Sequence, residues 1–402
     1  LEGIPEGLIV ETDALTAAPV WRSEPYLLFF PLGVALSWAG VLHWLLHALR
    51  VIPDYRPIFH AMTQIQGFLT CFAVGFLFTM VPRRTGSGPP AVWQIAVGLL
   101  GPVVTVVAAW NRQWFIAQAA WLLVALTLVV FAVGRFTSGQ SQRRPPNAFV
   151  WIPLALLMGM GGSVLTLLGP RLDPAGIWLH NFASGLVLQG MFIGFVLGVG
   201  SLALPLMTRD AAPPDAAMTA SDWRARAGHL TGAALLVASF WIQATSSLSR
   251  GMLLRAGMIL GVYILSTQLW RLPTRPGWNA WAIWTAAWML PTGYLIAAAF
   301  PEEYRGGLHV SLIGGLALLA FVVSTQVILG HGDHPTLRMG RPPQIPVIVV
   351  LMFAAIAARL AMEFDPRRFF VWMAAAAFCF LAAALAWGTF LIPKLVARAT
   401  SD

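Results

Sequence analysis

Polar residues are sparse along this chain and fall at intervals. Between them run apolar stretches near 20 residues, long enough to cross a hydrocarbon core of about 30 Å. Twelve are read, at about 26–49, 58–81, 91–110, 113–134, 148–168, 178–207, 229–247, 252–270, 279–300, 307–329, 344–363 and 369–392. None has the two-residue alternation of a barrel strand, and helix then satisfies the backbone in lipid. The pattern predicts an all-α, polytopic membrane protein of about twelve transmembrane helices over residues 25–393. A cytoplasmic N-terminal extension (1–24) and a short C-terminal tail (394–402) flank it.

Composition points the same way. Apolar residues make up 58% of the 402 and charged residues 10%, where soluble domains carry about a quarter charged. The bilayer is thus the first partner. The connectors near 135–147 and 208–228 are rich in Pro, Ala and Arg and too short to fold alone. The net charge of +9 reads mainly as topology. With both termini and the even-to-odd loops on one side, that side holds fifteen basic residues against nine, with Arg359 inside a span. The excess predicts cytoplasmic termini in a multi-pass inner-membrane protein. No clustered basic run suggests nucleic acid. Residues 1–24 carry no signal peptide pattern. Cys71 and Cys379 fall inside spans and match no haem-attachment or metal spacing.

Candidate chemistry lies in the eight histidines. His60, His180 and His309 stand near the starts of the second, sixth and tenth spans, 120 and 129 residues apart. One third of the chain is close to that spacing, which suggests three arcs of four helices. By the topology above, all three lie at one periplasmic depth. Polar groups inside a span are expensive unless they face protein, a cofactor or a wet cavity. A single histidine near a helix end is commonly just hydrated; recurrence on every fourth helix favours a shared metal or cofactor site. His43 and His47, in "LHWLLH", sit one turn apart on one face and offer, with His180, an adjacent copper site. Gly67 lies two turns beyond His60, and Gly190, Gly194 and Gly198 form a small-residue stripe for tight packing or a flat ligand. His229, His331 and His334 belong to the opposite side. "LGHGDHP" (329–335) reads as a turn that positions the tenth helix, without a metal. Arg359 and Glu363 have the spacing of a helical ion pair.

Two long segments carry a family resemblance. "FHAMTQIQGFLTCFAVGFLFTMVPRRTG" resembles the NnrS pattern W-H-A-H-E-M-x-x-G-F … G-F-L-L-T-A-V-P-x-W-T-G. "LHVSLIGGLALLAFVVSTQVILGHGDHP" resembles its L-H … V-x-T-R-x-x-L-G-H-T-G-R-P segment. "GSLALPLMTR" and "WGTFLIPKL" are similar to the ends of its sixth and last helices. The resemblance implies a haem- and copper-containing membrane protein of nitric oxide metabolism. His60, His309 and His331 carry over directly, and His180 through a looser motif. Where the family has H-A-H-E, this chain has His60-Ala61-Met62-Thr63, and Gln326 replaces an arginine. A copper site would lack one histidine there, with Met62 as a soft alternative.

The helix count and histidine placement also resemble the main subunit of haem-copper oxidases. The paired histidines those enzymes need on helices 7 and 10 are missing, so a complete oxygen or nitric oxide reductase is not expected. Haem b needs one or two axial ligands, and His60 and His309 would supply them, with Arg50, Arg56 or Arg305 near the propionates. The second reading is a cofactor-poor or quinone-docking structural subunit of a respiratory or denitrification complex. A transporter ranks third, because little charge is read at mid-membrane depth.

Overall fold

The computed structural model describes residues 18–137, 145–172, 177–332 and 334–400. Arg143, Arg144, Asp333 and most of the N-terminal extension lie outside the described residues. Among those described, every regular element is helical. Twelve helices are long and apolar enough to span a membrane: α1 (Tyr26–Ala48), α2 (Pro57–Thr85), α3 (Val92–Trp110), α4 (Trp114–Phe136), α5 (Asn147–Gly169), α6 (Trp178–Arg209), α7 (Ala220–Thr245), α8 (Leu248–Thr267), α9 (Trp278–Ala299), α10 (Tyr304–His331), α11 (Gln344–Phe364) and α12 (Pro366–Ala399).

Two boundaries differ from the hydropathy reading for identifiable reasons. α7 begins nine residues before its predicted start, inside a polar stretch. Its first turn is closed by a capping box in which Thr219 Oγ1 accepts from the Asp222 backbone and Asp222 Oδ2 accepts from the Thr219 N–H at 2.9 Å. α12 continues to Ala399, so most of the predicted tail is helix. Hydropathy marks where lipid ends; capping and packing decide where the helix does.

The three helices that carry His60, His180 and His309 share two structural features. In α2, α6 and α10, 78–83% of the most apolar window is buried, against 33–56% in the other nine. Each of the three opens into a π-helical segment just after its histidine: Thr63–Leu69, Leu186–Gly190 and Val310–Ala317. A π segment inserts an extra residue into the turn and re-aims the side chains around it; such segments are rare and concentrate at functional sites.

The chain divides into two compact units. The first comprises residues 1–143, 320–351 and 377–402, hence α1–α4 with parts of α10, α11 and α12. Its core is aromatic: Phe72 stacks on Phe30 at 4.9 Å and meets Phe68 at 5.0 Å and Trp387 at 6.0 Å. Buried indoles find acceptors, Trp121 on Thr70 Oγ1 (3.1 Å) and Trp387 on the Phe321 carbonyl (3.1 Å). The π segment of α2 turns Gln66 inward, where it exchanges hydrogen bonds with Gln118 of α4 at 2.9 and 3.3 Å.

One end of this unit is tied by a buried carboxylate. Glu24 is 3% exposed. It accepts from Tyr26 Oη at 2.8 Å, from Arg83 at the end of α2 at 3.2 Å, and from Arg398 at the end of α12 at 3.0 and 3.2 Å. Arg83 also donates to His331 Nδ1 at 2.8 Å. The same Nδ1 lies 3.9 Å from Glu24 Oε1, so the imidazole joins the cluster. Burial pushes the Glu24 carboxyl up, but hydrogen bonding with His331 and Arg398 and the nearby charges of His331 and Arg83 hold it well below the carboxylate range. The ends of α2, α10 and α12 thus meet the start of α1, and the "LGHGDHP" histidine has a positioning role.

The second unit comprises residues 144–319 and 352–376, hence α5–α9 with the remaining parts of α10, α11 and α12. Arg255 falls inside the predicted span 252–270, and the structure places it two turns into α8 with no exposed surface. Among the described residues its hydrogen-bond partners are neutral. Nη1 donates to Gln189 of the α6 π segment (3.0 Å), Nη2 to Gln243 (2.8 Å) and Nε to Ser239 (3.2 Å), while Phe240 lies 3.7 Å under the guanidinium. Neutral acceptors and two π faces, Phe240 and Tyr294 (5.0 Å), carry a buried cation here. Arg359 and Glu363 form the expected ion pair at 2.6 Å.

Candidate functional site

In the first unit, α1 and α2 bring three histidines around one indole. Trp44 lies with ring centroids 4.3 Å from His43, 6.3 Å from His47 and 5.6 Å from His60. Close approach of the two helices depends on Gly40, where a Cβ would meet Thr63 side-chain atoms at 2.9 and 3.0 Å. The same approach brings the Gly40 carbonyl to His60 Nδ1, 2.9 Å away, and the Ser37 carbonyl to Gln64 Nε2, also at 2.9 Å. The polar mouth of α2 is therefore used, in part, to bond the backbone of α1.

The tautomer matters for chemistry. With Nδ1–H donating to a carbonyl, the lone pair of the imidazole sits on Nε2, the arrangement usual for metal-bound histidine. His47 Nδ1 faces the Ile52 carbonyl at 3.3 Å in the same way. His43 differs. It is 3% exposed, and among the described residues neither of its ring nitrogens makes a hydrogen bond of good geometry. Phe59 and Trp110 meet it edge-on at 5.7 and 6.4 Å. An orphaned buried imidazole is costly and is the kind of group a ligand would satisfy.

Next to this cluster Arg56 bonds Asp54 and the Trp110 carbonyl and stacks over the Trp110 ring at 4.1 Å. The guanidinium holds the Asp54 carboxyl below its usual range. Met62 and Gly67 take apolar roles here. Met62 is buried among Leu36, Phe59 and Val106, and a Cβ on Gly67 would meet Val106 at 3.0 Å.

In the second unit, His309 is half-buried near the start of α10, with Nδ1 2.7 Å from the Arg305 carbonyl. Its tautomer matches that of His60. The segment carrying it is pressed onto α9, where a Cβ on Gly307 would meet Ala297 N at 2.5 Å and the Gly293 carbonyl at 2.9 Å. Ser311 Oγ donates to the Leu290 carbonyl at 2.7 Å. His180 is exposed, with Ser184 Oγ 3.5 Å from its Nε2. The glycine stripe below it serves packing: Gly194 faces Ala155 and Gly198 faces Trp151 of α5.

Among the described residues no three His, Cys, Asp or Glu groups are grouped to hold a metal ion. The first unit gathers His43, His47 and His60 around Trp44 rather than around a point. What the sequence reading missed is the polar work of the π segments (Gln66, Gln189) and the Arg255 and Glu24 clusters. One signal was present: the dipeptide Gln-Gly follows His60 and His180 at similar distances, at 66–67 and 189–190.

These observations define a multi-pass membrane protein in which the most enclosed helices carry a histidine and a π segment each. The chain matches the family described as NnrS protein over residues 20–398 and belongs to the NnrS family. A comparison with curated proteins finds no match.

Proposed function

We propose that this protein is a histidine-ligated haem b protein of the cytoplasmic membrane, termini inside, acting in nitric oxide-linked metabolism. The observation that carries the reading is shared by His60 and His309. Each is held through Nδ1 by a backbone carbonyl, at 2.9 and 2.7 Å, at the head of a buried helix that opens into a π segment. Family membership supplies the link to nitric oxide.

The donor set suits haem better than copper. Haem iron needs one or two imidazoles, and both histidines carry the ligating tautomer. A copper site on His43 and His47 would draw on Met62 as its soft ligand, and Met62 is instead buried among Leu36, Phe59 and Val106. Haem iron would supply a one-electron couple or an open coordination position for a diatomic gas. The chain's own residues orient the imidazoles through the Gly40 and Arg305 carbonyls, and Trp44 and Phe59 exclude water around the His60 side of α2.

Purified protein is expected to show a Soret band, a pyridine haemochrome of haem b, a Soret shift on adding nitric oxide, and iron without stoichiometric copper by metal analysis. A preparation folded by its thermal melt yet devoid of haemochrome after expression with added haem precursor would remove the proposal.

A further inference from the structure

A groove of about 890 Å³ runs between α7 and α8, entirely within the second unit. The two helices are joined by two residues and run antiparallel. Its charged lining residues, Arg224 and Arg250, stand near the starts of α7 and α8, hence at opposite ends. Between them the lining is apolar or small. At Gly228, Gly257 and Gly261 an added Cβ would meet nothing within 4 Å. The α6 glycines are filled by neighbouring helices; these three leave open volume.

At the Arg224 end the groove has a directed polar terminus. Trp151, fully buried in α5, donates its indole N–H to His229 Nδ1 at 3.1 Å. An indole can only donate, so His229 is neutral with its proton on Nε2. That Nε2 faces Ser266 Oγ at 3.5 Å. Ser266 therefore accepts, over a long bond, and has its own O–H to give. Three donors in series end at a groove-lining hydroxyl, and donation along such a chain polarises the last member.

We infer that this groove binds an isoprenoid quinone, its ring carbonyl on Ser266 and its tail along the glycine-lined channel. Complementarity selects this occupant. The polar end offers donors and positive charge, and no carboxylate lines the groove, which matches an acceptor-only headgroup. His229 lies five residues beyond Arg224 along α7, about 7.5 Å deeper. A neutral ring can sit at that level, whereas a phosphate is held at the charged boundary. The volume falls in the usual range for small-molecule sites. The inference is independent of the haem reading.

The test uses the full chain in phosphatidylcholine nanodiscs, labelled with a photoreactive azidoquinone and competed with decylubiquinone. Label is expected on peptides within 224–266, displaced saturably by decylubiquinone. Ser266→Ala, which deletes one hydrogen bond, is expected to weaken competition about fivefold. Gly257→Leu fills open space, so it should keep the wild-type melt while weakening competition about tenfold or more. Arg224→Gln should change it less than about twofold. Label outside the groove, label that decylubiquinone leaves in place, or wild-type competition in a folded Gly257→Leu protein overturns the inference. So does displacement by phosphatidylglycerol that Arg224→Gln abolishes, which makes an anionic lipid the occupant. The Soret band is monitored throughout, so failure here and failure of the haem reading are separate results.

Discussion

Glu24→Gln is expected to lower the stability of the detergent-solubilised protein by about 3 kcal/mol. Removing one member of a buried ion pair leaves the others uncompensated, at a typical cost of about 3–5 kcal/mol. The lower end applies because the Arg398 side chain is 34% exposed and partly screened by solvent. Glutamine keeps an acceptor for Tyr26 but removes the negative charge that faces Arg83, whose side chain is 13% exposed. The effect should depend on pH in a defined sense. A carboxyl held below its unfolded value contributes fully above that value and loses its contribution as pH falls toward the folded one. The gap between wild-type and variant melting temperatures should be constant above about pH 5 and shrink below about pH 4. A gap that widens on acidification would show that the carboxyl is not held low. A variant with the wild-type melt at neutral pH would show that the cluster does not tie the helix ends.

Gly307→Ala is expected to do comparable damage by a different route. The added methyl would press on Ala297 N at 2.5 Å and on the Gly293 carbonyl at 2.9 Å. These are backbone atoms of α9 and cannot rotate away, so α9 and the head of α10 must separate. Overpacking of this kind costs about 1–3 kcal/mol, and the rigid contact places it near 3. His309 is two residues away, so the variant should also lose haem in proportion to the displacement. Gly257→Ala is the control, because its Cβ meets nothing within 4 Å. There the change should be neutral or stabilising by up to about 1 kcal/mol, since alanine is the better helix former. Thermal melts of the two variants in one detergent make the comparison; equal melts would refute the backbone-contact argument.

The spans were legible because lipid imposes one simple demand, a long apolar run, and all twelve appear close to where that demand puts them. The threefold spacing of His60, His180 and His309 was legible too, and it marks the three most enclosed helices. The π segments were not. They change which side chains share a face, but in a helix that is apolar all round that change leaves no trace in hydropathy. Glu24 was invisible for another reason: its partner Arg398 lies 374 residues away, and nothing local announces the pair. The environment of Arg255 was not legible either: Gln189, Gln243, Ser239 and Phe240, which make a cation tolerable inside the span, lie 12 or more residues away along the chain. The His60 tautomer likewise depends on a carbonyl from α1, exposed because residue 40 lacks a side chain.

The central claim is that His60 presents its Nε2 to haem iron while Nδ1 is held by the Gly40 carbonyl. The most direct measurement is haem content by pyridine haemochrome, together with the Soret spectrum, on purified wild type, His60→Ala and His180→Ala. His60→Ala is expected to lose haem or show a changed Soret band, while His180→Ala retains wild-type content and spectrum. A folded His60→Ala protein with undiminished haem and an unaltered Soret band would contradict it.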